Sequence, residues 1–153
     1  MEEIINSYLT FKVAGNTYGV HVDSVVEIME YVQPKSNPSN LPYLLGLVEH
    51  RGNVIPLIDT GVKFGMKPIE LNGQSCVIVL KINSAGESFD VALAVDHVSE
   101  VMGIDDDRKQ PIEGKYKPDY VNCAVKGDDD TLALIINADR IFSDTDIISL
   151  TAN

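Results

Sequence analysis

The side chains able to do chemistry are few and scattered. The histidines are His21, His50 and His97, and the cysteines are Cys76 and Cys123. Zinc sites place Cys and His at short spacings such as CxxC or HExxH, and neither spacing occurs. The two cysteines are too far apart for a disulfide framework and sit in apolar, strand-like runs, so both read as buried free thiols. Aspartate triplets at 105–107 and 128–130 raise the question of calcium. An EF-hand loop needs oxygen ligands at its fifth position and glycine at its sixth. Counted from Asp105 these are Lys109 and Gln110, and counted from Asp128 they are Leu132 and Ala133, so both triplets read as solvated acidic turns. There is no GxGxxG, no Walker glycine-lysine loop and no GxSxG elbow; the eleven glycines stand singly, at turns. No catalytic residue, cofactor or metal is expected, and the chain reads as a non-enzyme.

One charged pair has a different meaning. Glu27 ends an apolar corner, and Arg51 follows the apolar run Leu44–His50 immediately before Gly52. An arginine at a β-turn can clip a carboxylate of its own lobe or reach a partner's carboxylate. Such a surface pair contributes only about 0–1 kcal/mol, so its value lies in shaping a recognition edge.

Charge narrows the partners. Twenty-three acidic against twelve basic residues give a net charge of −11, which repels polynucleotides and anionic membranes and favours basic partner patches. Apolar runs such as Leu132–Ile136 are far shorter than the ~20 residues of a spanning helix, so no membrane insertion is expected. The first residues are acidic where a signal peptide is basic, and the chain reads as cytoplasmic. With 44% hydrophobic residues in 153, the chain can hold a core without staples.

The elements that must position these side chains are short strands. Leu9-Thr10-Phe11-Lys12-Val13 alternates apolar and polar, Gly15-Asn16 turns, and Tyr18-Gly19-Val20-His21-Val22 resumes the alternation, so 8–22 is expected to be a hairpin. Asp23-Ser24 is expected to cap a helical turn carrying Val25, Val26 and Ile28. Pro34, Pro38 and Pro42 make 33–42 an extended crossing loop. Strands are expected at 44–50 and 54–58 around Arg51-Gly52-Asn53, at 76–82 and 89–95, and at 121–125 and 132–136. Asp59 and Asn137 each cap a short helix, ending near Gly65 and Phe142.

The chain also repeats itself. Residues 18–29 over 91–102 match at Val22/Val95, Asp23/Asp96, Val25/Val98, Glu27/Glu100 and Met29/Met102, with Ile28 facing Val101. Residues 57–64 lie over 135–142 in the same order, each a strand, a polar cap, a short helix and a phenylalanine. The expected fold is therefore mainly β: two similar small barrels with short helices, a closure that removes exposed strand edges.

The same residues carry a family resemblance. Phe11, the run from Tyr18 to Ile28, Pro42, the run Gly46-Leu-Val-Glu-His-Arg51-Gly52-Asn-Val-Ile-Pro56-Leu-Ile-Asp59, Phe64-Gly65, and Val95-Asp96-His-Val98-Ser-Glu100-Val101 stand in the order and spacing of the CheW family of chemotaxis coupling proteins. The resemblance covers 8–143. It implies a single CheW-like domain over 8–150, built of two intertwined five-stranded SH3-like β-barrel subdomains (repeat units roughly 8–65 and 75–143). It implies a non-catalytic adaptor that binds both the regulatory domain of the histidine kinase CheA and the cytoplasmic tip of methyl-accepting chemoreceptors, in arrays at the membrane, with no small-molecule substrate. By position, the partner-binding residues it implies are Val25, Glu27, Ile28, Gly46 and Arg51 in the first lobe and Ala92 and Val98, as groove positions, in the second. It further implies that Arg51 pairs with Glu27.

Some positions depart from the family pattern. The Asn-Leu before the arginine is Glu49-His50, the Leu-Arg after the strand-ending aspartate is Thr60-Gly61, a groove glycine is Ala92, and a glycine after Tyr120-Val121 is Asn122. A methyl at 92 is expected to narrow the groove. The same fold would also serve a chemosensory pathway outside motility, as in pili or development. An excised CheA regulatory domain and an unrelated all-β enzyme or ligand-binding barrel are the remaining readings.

Overall fold

In the computed structural model the chain is described over residues 6–35, 41–114, 117–127 and 131–151. Pro38 of the expected crossing loop and the aspartates at 128–130 lie outside them.

Among the described residues, eleven strands form two sheets. They are β1 Ser7–Val13, β2 Asn16–His21, β3 Val25–Glu30, β4 Leu44–His50, β5 Asn53–Asp59, β6 Cys76–Ser84, β7 Glu87–Val95, β8 His97–Gly103, β9 Lys109–Gln110, β10 Val121–Lys126 and β11 Leu132–Ile136. One sheet runs β8-β1-β2-β11-β10-β9 and the other β3-β6-β7-β5-β4. Five strands per lobe were expected; the two-residue β9 adds a sixth to the first sheet.

The repeat is visible in the pairing. Each sheet takes a hairpin from one half of the chain, β1–β2 or β6–β7, and flanks it with strands from the other half, three around β6–β7 and, with β9, four around β1–β2. The pairings of β8 with β1 and of β3 with β6 are both antiparallel, with irregularities at Ser99 and Val26, the same place in the repeat. The pairings of β11 with β2 and of β5 with β7 are both parallel. The β10–β11 and β4–β5 hairpins both slip at the start of the first strand.

The corners after Val22 and Val95 correct the sequence expectation. Val22–Ser24 is a single 3₁₀ turn capped by His21, and Val25–Ile28 then enters a strand, not a helix. Residues 97–103 likewise form β8. The bulge at Val26 breaks the period-2 alternation, so apolar residues fall at helix-like spacing while the backbone remains extended.

The hairpin β6–β7 lies at the centre of the molecule. Val77, Ile78, Val79, Leu80, Val91, Leu93 and Val95 are all buried, so both faces of this hairpin are covered, which explains its unbroken apolar runs. Leu9, Phe11, Val13, Tyr18 and Val20 of the other sheet join the same core, and a smaller core of Tyr8, Ile104, Cys123, Val125 and Ile135 packs on the opposite face of β1. Cys123 is buried and Cys76 half-buried, and both are free thiols. Thr10, buried between these cores, is satisfied by donating to Glu100 O (2.9 Å) and accepting from Glu100 N (3.2 Å).

Caps finish the elements. Asp59 accepts from Val62 N and Ile69 N to start α1, Thr60–Lys63. Asn137 caps a 3₁₀ turn, Ala138–Arg140. A helix the sequence reading missed, α2 Asp144–Thr151, closes the described chain. Ser143 and Asp146 cap it reciprocally, and the Asp146 carboxylate also accepts from Tyr43 Oη at 2.8 Å and lies 3.5 Å from Lys63 Nζ.

Candidate interaction site at the barrel seam

The site begins with a turn. Arg51 and Gly52 join β4 to β5 with φ of 53° and 82°, both left-handed. A two-residue turn of this hand matches the twist of a hairpin but favours Asn or Gly at its first position. The turns Ala14-Gly15 and Ala85-Gly86 have the same signs of φ and carry small alanines. An arginine in this conformation costs about 1–2 kcal/mol of backbone strain, and it projects a side chain that is 65% exposed.

The second part is the curl of the sheet. β3 and β4 stand at opposite ends of the order β3-β6-β7-β5-β4, yet Arg51 Nη2 donates to Glu27 Oε1 at 2.9 Å. The ends of the sheet therefore meet, and side chains tie the seam. Lys35 N donates to Leu47 O at 3.0 Å across the same seam, just beyond the end of β3. The bulge at Val26 leaves Glu27 opposite Val79 and its carboxylate beside the turn. His50, the last residue of β4, is buried, and its Nε2 lies 3.5 Å from Glu27 Oε2. Sequence reasoning did not include His50 in the site; its place directly before Arg51 in a strand ending at a turn was the available signal.

The other expected positions divide. Val25 is half-buried and Ile28 is 46% exposed, both on β3. Gly46 is buried at the β4 bulge with φ 152°, opposite Leu57, so it shapes the strand and offers no side chain. Val98, half-buried on β8, lines an open groove of about 560 Å³ with Glu30, Tyr31, Ser75, Cys76 and His97. Ala92 does not fit its expected place. It is fully buried in the middle of β7, paired with Val79 on one side and Leu57 on the other, so its methyl packs in the core and cannot narrow a groove.

Among the described residues, four of the seven exposed large apolar side chains follow the repeat; Val32, Leu71 and Ile148 do not. Ile28 on β3 and Val101 on β8 are equivalent, and so are Val54 on β5 and Leu132 on β11; all four are 46–64% exposed. The Ile28/Val101 match stood in the sequence; Val54/Leu132 emerges from the register, where Glu49 opposes Val54 and Lys126 opposes Leu132. Isolated exposed apolar residues are ordinary, but four at repeat-related positions on two sheets are a pattern. Among the described residues no group of three metal-binding side chains occurs and no helix is long and apolar enough to cross a membrane.

Fold and site together define a double β-barrel module whose most specific surface feature is a tied seam flanked by exposed apolar strands. Comparison places it among known proteins. The model of the CheW-like domain matches residues 7–146, and the chain belongs to the CheW family, the chemotaxis adaptor family its sequence resembles. It is 26% identical over 141 residues to a probable chemotaxis protein CheW of Rhizobium etli, covering 90% of this chain and 88% of that one. It is 30% identical over 103 residues to a chemotaxis protein CheW of Rhizobium meliloti, covering 67% of this chain and 64% of that one. The crystal structure of the scaffolding protein TtCheW from Thermoanaerobacter tengcongensis superposes with a TM-score of 0.80 at 26% identity, covering 93% of this chain and 90% of that one.

Proposed function

We propose that this chain is a non-catalytic coupling adaptor that binds the regulatory domain of the histidine kinase CheA and the cytoplasmic tip of methyl-accepting chemoreceptors, joining them in arrays from the cytoplasmic side. Family membership supports the general role. The observation that carries the bridging role is the duplication of exposed apolar strand positions, Ile28 with Val54 and Val101 with Leu132, one pair on each sheet. A bridge needs two contact surfaces, and a duplicated fold supplies them from one design. Apolar strand surface with a polar rim is the usual composition of an interface core, and Glu27 with Arg51 provides such a rim at the seam.

In this reading Val25, Glu27, Ile28 and Arg51 contact a partner directly. Val98 faces the groove at the start of β8, where an amphipathic helical hairpin would lay its apolar face. Gly46 acts through the bulge it permits, and Ala92 through core packing. The test is a calorimetric titration of this chain with the CheA regulatory domain, followed by a receptor-tip fragment. Micromolar binding to each and a ternary complex are expected. A well-folded protein that binds neither sinks the reading.

A further inference from the structure

A buried imidazole stands behind the seam. His50 is 5% exposed, and its Nε2 makes no hydrogen bond among the described residues. A buried polar atom left unpaired is costly, so a second state that pairs it has a driving force. Glu27 Oε2 lies 3.5 Å from it without forming a hydrogen bond, while the other oxygen of the same carboxylate is held by Arg51. Glu27, from β3, is the one charged group within ion-pair reach of His50 among the described residues. Arg51 follows it in the turn. Glu49, its neighbour on β4, is exposed where His50 is buried, and β5 places Asn53 and Val54 opposite this end of the hairpin, neither of them titratable. The repeat-related position in the other sheet is Gly127, so the arrangement belongs to one lobe alone.

We propose that His50, Glu27 and Arg51 form one proton-responsive clasp, in which the charge on His50 decides how Arg51 is presented to a partner. With His50 neutral, Glu27 and Arg51 balance each other. A proton on His50 brings the cluster to a net charge of +1. A buried cation requires a close counter-charge, and the carboxylate beside it is Glu27. Charge-assisted hydrogen bonds close to about 2.7–2.9 Å, so the His50–Glu27 contact tightens and Glu27 is drawn toward β4. Arg51, largely in solvent, is left with uncompensated positive charge, suited to an acidic group on the partner. The consequence for binding rests on the reading of this edge as a contact surface; the clasp itself does not.

The experiment is a pH titration of the isolated protein by NMR, following the His50 ring nitrogens, the Glu27 side-chain carboxyl carbon and Arg51 Nε. A step in the Glu27 and Arg51 signals with the same midpoint as His50 is expected. It should vanish in both His50→Leu and His50→Gln, with amide spectra remote from the seam unchanged. Glu27 and Arg51 signals that ignore the His50 midpoint, or a step that survives in whichever of the two variants folds, overturn the proposal. No partner is present in this measurement, so it fails or holds independently of the adaptor reading, which the binding of Arg51→Glu tests.

Discussion

Glu27 and Arg51 meet at 2.9 Å although their strands are the two ends of a five-stranded sheet. The pair thus marks where the sheet has curled upon itself. Both side chains are at least one-third exposed, so the tie adds little to stability. Its information is geometric: it holds a carboxylate and a guanidinium side by side at a fixed edge.

Arg51→Glu should fold, with unchanged circular dichroism, and weaken CheA or receptor-tip binding at least tenfold. Arg51→Gly should lose binding similarly while its thermal midpoint stays level or rises, because glycine relieves the left-handed strain at φ 53°. Calorimetry and a melting curve on both variants decide this. Normal binding by Arg51→Glu removes the residue from the site.

The exposed apolar positions separate binding from stability. Ile28→Lys and Val101→Lys alter one sheet each and should change the melting free energy by less than about 0.5 kcal/mol. Each should weaken binding to one partner surface and spare the other. A ternary titration with each variant checks the asymmetry; equal losses on both partners contradict the two-surface reading.

Ala92 belongs to the core, so it should respond to volume. Ala92→Leu adds three carbons to a fully buried position on the face of β7 and should destabilise by about 1–3 kcal/mol or more. Urea unfolding measures it. A stable variant with altered receptor binding would restore the groove role. Gly61 offers a harder test of the same kind: a Cβ there would run into the Lys67 carbonyl, so Gly61→Ala should cost more than about 2 kcal/mol.

Acid should loosen α2 first. Burial alone raises the Asp146 carboxyl, but the Ser143 amide, the Tyr43 hydroxyl and Lys63 outweigh it and hold it below its ordinary value. A carboxylate held low stabilises the fold at every pH above its unfolded value near 4, and that contribution disappears as pH falls through the lower folded value. Protection of the 144–151 amides, taken relative to the intrinsic exchange rate at each pH, should therefore fall below about pH 4, and Asp146→Asn should abolish the difference in protection between pH 3 and pH 6. Protection that is equal across this range in the native protein argues against the tie.

Much of this molecule was legible in the chain. Alternation and turn residues located the strands of four hairpins, the aspartate and asparagine caps located two helical turns, and a repeat of two segments in register announced two similar lobes. Family resemblance supplied the pairing of Glu27 with Arg51, and the contact is there. These are local or pairwise patterns, written in residue type and spacing.

Tertiary structure decided what spacing cannot encode. The bulges at Val26 and Ser99 made strands of segments whose apolar spacing resembled helices, because an extra residue shifts the period and only the partner strand reveals it. Interleaving of the halves placed Ala92 at the centre of a sheet. Curling of the sheet brought His50 against Glu27, twenty-three positions away and from the opposite end of the strand order. Burial and seam contacts depend on how strands from both halves assemble, and a linear pattern records the strands without their neighbours.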